Sequence, residues 1–218
     1  MSQIIGKISL NISLVLYLIN YAPQIFHNQM RPYLSGMSFY FHYLLLISWI
    51  ADLIYGIGMH MPWQYRLVSV LGLLYLLIQH VQIRKIIVEH RSFQYGSYFL
   101  FCATVTGFLC LYFYKNNKLL FISLGYLSEI AGWISCFPQI IKNLTLTSSA
   151  LSLSMIYLLL DLFSAFCDNV SAWVLVWPTP SKLGAIFSVI ICLILITQRI
   201  RVQKEYTNEC CFSIRLSE

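Results

Sequence analysis

Seven apolar runs, at roughly residues 4–26, 38–60, 63–83, 95–114, 118–141, 150–175 and 182–200, fill most of this 218-residue chain and leave only short polar connections. Each approaches the ~20 residues that a membrane-spanning α-helix needs. The runs are continuous rather than alternating, which predicts helices and argues against a β-barrel. The first run, with Lys7 near its start, has the outline of a secretory signal. No small-residue cleavage pattern follows it, so it reads as a retained helix.

The polar residues that punctuate the runs recur. Tyr21-Ala22-Pro23-Gln24-Ile25-Phe26-His27-Asn28 aligns with Cys136-Phe137-Pro138-Gln139-Ile140-Ile141-Lys142-Asn143, so both copies carry Pro-Gln with an Asn four residues after the Gln. A short polar loop follows each, and Ser38-Phe39 or Ser154-Met155 then opens another apolar run. One membrane unit of about 115 residues has been used twice, a signature of secondary transporters.

Composition agrees with this reading. At 59% hydrophobic and 10% charged residues, with a mean hydropathy of +0.72, the chain has too little polar surface to coat a water-soluble globule. The bilayer is the expected partner, and almost nothing remains for a soluble domain. The net charge of +6 calls for no nucleic acid, because Lys and Arg facing anionic headgroups account for it. Arg31, Arg84, Lys85, Arg91, Lys142, Arg199, Arg201, Lys204 and Arg215 fall on one set of connections, against Lys7, Arg66, Lys115, Lys118 and Lys182 on the other. The positive-inside rule then puts the carboxyl terminus and both Pro-Gln loops in the cytosol and the amino terminus outside or in a lumen.

Seven cysteines show no metal-ligand spacing. Cys102, Cys110, Cys136, Cys167 and Cys192 read as small buried hydrophobes, and the adjacent Cys210 and Cys211 as unmodified thiols or palmitoylation sites. There is no phosphate-binding glycine loop, nucleotide motif or Ser-His-Asp order in a plausible context, so neither an enzyme, a metal site nor an organic cofactor is expected. The coupling species would be a proton or the substrate itself.

A proline inside a helix removes one backbone hydrogen bond and frees the carbonyl four residues earlier, here at Ile19 and Ile134. In lipid such a carbonyl must find a partner, so broken helices gather where a cavity is lined. Pro23, Gln24, Pro138 and Gln139 are therefore read as a matched pair of hinges or gates, with the Gln amides as partners for the freed carbonyls.

On these residues the chain resembles the PQ-loop family, which includes lysosomal exporters of cystine and of basic amino acids and, more distantly, the sugar-carrying SWEET proteins. Pro23-Gln24, Asn28 and Ser35-Gly36-Met37-Ser38-Phe39 carry the resemblance in the first copy. Pro138-Gln139, Asn143, Ser148 and Ser154 carry it in the second, with one residue inserted. The resemblance implies an all-α integral membrane protein of seven transmembrane helices, two parallel three-helix bundles (1–92 and 117–203) joined by a linking helix (93–116), and a cytosolic tail (204–218). The cystinosin-like branch looks nearest in the last third, at Leu158-Leu159-Leu160-Asp161 and Pro180-Ser181-Lys182-Leu183-Gly184, whereas Trp49-Ile50-Ala51-Asp52-Leu53 looks like the basic amino acid exporters. Cys192 stands where a second Asp is expected, Leu45 replaces an Asn, and Ser128 and Ser135 stand in place of lysines.

Four acidic residues fall within the apolar runs: Asp52, Glu129, Asp161 and Asp168. Each costs roughly 2.5–3.5 kcal/mol at a helix centre on insertion scales, which makes them candidates for function. Ser38 to Asp52 and Ser154 to Asp168 have the same separation of 14, so Asp52 and Asp168 are repeat equivalents expected to face each other near the extracytosolic end. Asp161 and Glu129 have no acidic counterpart, since Leu45 and Leu14 occupy those places. A carboxyl taken out of water favours its protonated form. Asp161 is therefore assigned the coupled proton, with Asp168 and Asp52 as its approach. Asn28, Asn143, Glu129, Tyr157 and Ser128 are the candidate substrate contacts. His42 and His80 read as satisfied core or interfacial histidines, and the aromatic load mostly as interfacial belt and lipid-facing surface, with a few tyrosines such as Tyr17 or Tyr157 open to lining the cavity.

These readings converge on a carrier that moves a small amino acid or related zwitterion, cystine-like or basic, into the cytosol with a proton by alternating access. Two alternatives stay open: a SWEET-like uniporter of a sugar or neutral solute, and a seven-helix receptor or scaffold without transport. The compartment would be the lysosomal or endosomal membrane in a eukaryote and the inner membrane in a bacterium.

Overall fold

A computed structural model describes residues 2–29, 38–86, 102, 104–109, 111 and 117–215. The described residues form six long helices and one short 3₁₀ segment, with no strand among them: α1 (Ser2–Asn28), α2 (Phe39–Gly58), α3 (Trp63–Ile86), α4 (Lys118–Thr145), the 3₁₀ turn (Thr147–Ser152), α5 (Met155–Val174) and α6 (Thr179–Arg215). All six are long and apolar enough to cross a membrane. The expected linking helix lies mostly outside the described residues, although 104–109 are helical. The side chains of Cys210 and Cys211 also lie outside them.

Two boundaries differ from the hydropathy reading. The run expected from residue 150 begins as a helix only at Met155, because the 3₁₀ turn takes up the stretch before it. At the other end, α6 continues through the expected tail to Arg215. Neither Pro nor Gly interrupts it after Gly184, and Arg201 pairs with Glu205 one turn on at 3.1 Å. An exposed pair of this kind adds only a few tenths of a kcal/mol, about 0.3–0.5, but charge alone does not stop a helix once it has left the apolar layer.

Packing follows the repeat. α3 packs against both α1 and α2, and α6 against both α4 and α5, so the third helix of each repeat lies between the other two. The most extensive contacts run across the repeats, α1 against α5 and α2 against α4. These seams are built of small residues and hydroxyls, which let backbones approach and satisfy polar groups away from water. On the first seam the Ser9 hydroxyl donates to the Cys167 carbonyl and the Ser171 hydroxyl to the Gly6 carbonyl. A Cβ on Gly6 would meet Leu175 at 2.8 Å. On the second, Ser48 and Ser128 each donate to the other's backbone carbonyl at 2.9 Å. The opposite faces are mostly hydrocarbon, as on α1, where Ile4, Ile8, Val15 and Phe26 are exposed.

The second helices even end alike. After α2 the Met61 N–H donates to the Gly56 carbonyl with His60 at φ 52°, and after α5 the Trp177 N–H donates to the Ala172 carbonyl with Val176 at φ 54°. Both are Schellman-type caps with a left-handed residue where glycine is usual. Positions 60 and 176 have the same offset as Asp52 and Asp168.

Candidate functional site

At one end of the bundle, Pro23 and Pro138 lie inside the continuous helices α1 and α4, and the glutamines that follow them are fully buried. Their hydrogen bonds do not run back to the carbonyls that the prolines free, as expected from sequence, but sideways into the other repeat. Gln24 Oε1 accepts from the Ser154 backbone N–H at 2.8 Å, and Gln139 Oε1 accepts from the Ser38 backbone N–H at 2.8 Å. Ser38 and Ser154 are the N-cap residues of α2 and α5. Each glutamine therefore ties the first helix of its own repeat to the start of the second helix of the other.

The rest of each latch is local and matched. Gln24 Nε2 donates to Asn28 Oδ1 at 2.7 Å, and Gln139 Nε2 donates to Asn143 Oδ1 at 2.8 Å. The asparagine amides pass the chain on to Gln82 and Gln198 at 3.1 and 2.9 Å, and these glutamines return to the Ile25 and Ile140 carbonyls, both at 3.2 Å. Gln24 and Gln139 also converge on Ser152, one on its carbonyl at 3.0 Å and the other on its hydroxyl at 3.4 Å. Asn28 and Asn143, expected as substrate contacts, are thus members of the latches, and neither lines the cavity described next. Gln82 and Gln198 escaped the sequence reading, although they recur at the offset that pairs Ser38 with Ser154.

Beyond the latches lies a cavity of about 220 Å³ lined by all six helices. Asp52, Glu129, Asp161 and Asp168 all line it, together with Ser128 and Tyr157. Asp52 accepts from the Tyr65 hydroxyl and, at 2.6 Å, from the Ser69 hydroxyl. Asp168 accepts from the Ser13 hydroxyl at 2.6 Å. Asp161 faces the Asn20 amide at 3.4 Å and the Cys192 thiol at 3.2 Å. The residue standing where a second Asp was expected is therefore a hydrogen-bond donor to the first. Glu129 is packed against Gly184, where any Cβ would overlap its carboxylate.

The aromatic share of the lining is larger than the sequence reading named: Tyr17 and Tyr157 line the cavity, and Tyr21, Tyr65 and Tyr75 join them along with Trp49, Trp133 and Trp177. Tyr21 and Tyr75 stack at 4.2 Å between centroids, and Tyr157 lies 6.5 and 6.4 Å from them. His42, fully buried, is a satisfied core histidine as expected, with Gln79 at 3.3 Å and His80 at 3.1 Å.

Residues 5–65 match the family model of the PQ loop repeat. The match covers most of α1, all of α2 and the entry to α3, and it supports a place for this chain in the PQ-loop family of multi-pass membrane proteins, which includes transporters. No curated protein matches the chain.

Proposed function

We propose that this chain is a proton-coupled secondary carrier that takes a small amino acid or related zwitterion, cystine-like or basic, into the cytosol by alternating access. The observation that carries the reading is the junction of two reciprocal Gln latches with a central cavity into which the unmatched carboxylate Asp161 faces. The latches close the Pro-Gln end, which the distribution of Lys and Arg assigns to the cytosol. Release of Ser38 and Ser154 from Gln139 and Gln24 would let the second helix of each repeat swing from the first helix of the other, opening the cavity to that side.

Asp161 carries the proton in this scheme, with Asp168 and Asp52 as its approach from the far side. Two turns of α5 separate Asp161 from Asp168, a rise of about 10.5 Å. A proton arriving from an acidic lumen neutralises the carboxyl while the cavity faces that lumen, and its loss to a neutral cytosol resets the carrier. The compartment under this reading is lysosomal or endosomal in a eukaryote and the inner membrane in a bacterium. The test is uptake current in proteoliposomes under an imposed proton gradient, with a panel of amino acids and sugars. Current for particular amino acids supports the proposal; flux of a sugar that ignores pH, or binding with neither current nor flux, sinks it.

A further inference from the structure

Among the described residues, the four carboxylates of the cavity have no cationic counterpart: no described Lys, Arg or His lines it. The nearby Lys182 stands over the Trp173 ring at 5.0 Å, outside the lining, and Arg66 packs its stem towards Gly56. An α-amino acid brings a carboxylate of its own. Here that group would be shut into an apolar space with four acids and offered only neutral donors, an arrangement that works against binding an anion.

Three of the carboxylates already have hydrogen-bond donors, as described above, but Glu129 has no hydrogen bond to any described residue. Gly184 leaves it room at the cavity wall. A second unsatisfied group belongs to the same lining: the buried Tyr21 hydroxyl, on a residue only 9% exposed, has no hydrogen-bond partner among the described residues. It belongs to the Tyr21–Tyr75–Tyr157 wall, whose ring faces attract organic cations.

From this geometry we infer that the preferred ligand is an organic amine without a carboxylate, its ammonium held by Glu129 and its body laid on the tyrosine wall. The inference rests on the carrier reading and on the same cavity, and it carries the basic end of that substrate class over to amines that lack the carboxylate.

Matched probes test it on the full chain in detergent or nanodiscs, with calorimetry and the fluorescence of the lining tryptophans as readouts. The pairs are 2-phenylethylamine with phenylalanine and cadaverine with lysine, and 3-phenylpropionate serves as the acid control. Each amine should bind about tenfold or more tightly than the amino acid bearing the same side chain, because only the amino acid adds an uncompensated negative charge. Glu129→Gln should erase that preference, and Tyr21→Phe should weaken amine binding a few-fold with the fold intact. Equal or tighter binding of the amino acids, a preference that survives Glu129→Gln, or no binding of any probe overturns the inference. Amine binding without flux in proteoliposomes would overturn the carrier reading and leave this one standing. Amino acid flux with no amine preference would do the reverse.

Discussion

The latch end and the cavity are built from the same two repeats, yet one largely keeps their symmetry and the other largely abandons it. At the latches four pairs of residues are twins, Gln24 and Gln139, Asn28 and Asn143, Gln82 and Gln198, Ser38 and Ser154, with matching bonds to within a few tenths of an ångström, and Ser152 alone is shared by both glutamines. In the cavity Asp52 and Asp168 still match, but most other twins differ. Asp161 stands opposite Leu45, Glu129 opposite Leu14, Tyr17 opposite Gly132 and Tyr21 opposite Cys136. The first repeat supplies most of the tyrosine wall and the second supplies three of the four acids. A latch that ties each repeat to the other must be present on both sides to act as one device. A single central cavity belongs to both halves at once, so they are free to divide its chemistry.

The comparison is broken most forcefully at the latches. Gln24→Leu and Gln139→Leu each strand a buried N-cap N–H and an asparagine, at a cost of about 1–3 kcal/mol per orphaned group. Each should abolish uptake and lower Tm in detergent by a similar amount. A silent substitution on one side would show that the latches are not equivalent. Next in size, Gly184→Ala drives a methyl into the Glu129 carboxylate, and substrate binding measured by calorimetry should weaken about tenfold or more, since overpacking here displaces the group itself. Stability should change less than binding does.

Smaller effects sharpen the symmetry. Gln82→Ala and Gln198→Ala remove the outer member of each latch and should each lower stability by about 1 kcal/mol, read as paired shifts in Tm. Val176→Gly should raise stability by about 1 kcal/mol, because a β-branched residue is ill suited to the left-handed cap position. His60→Gly should act in the same direction and less strongly, since His tolerates that conformation better than Val.

Six spans, the repeat and the Pro-Gln pairs were legible in the sequence because each rests on local composition or on identical residues in register. The four carboxylates were legible for a related reason: an acid in an apolar run is costly enough to stand out. What stayed hidden required knowledge of which helix faces which. A glutamine amide has the same sequence whether it bonds within its own helix or to the far repeat, so the crossing from Gln24 to Ser154 could not be read from one chain. Gln82 and Gln198 were hidden by their polar surroundings near the ends of the spans, though applying the repeat offset would have paired them. Of the tyrosine wall only Tyr157 was legible, because tyrosines at an interface and in a cavity have the same composition, and only packing separates Tyr21 and Tyr75 from Tyr40, which is exposed.

The central claim is that Asp161 couples the cavity to a proton while the latches govern access. Counterflow and proton-driven accumulation, measured side by side in proteoliposomes for Asp161→Asn, test it most directly. The account predicts that the variant still exchanges substrate across the membrane at equal pH but no longer accumulates it when the extracytosolic side is made acidic. Accumulation at the wild-type level under that gradient would contradict it.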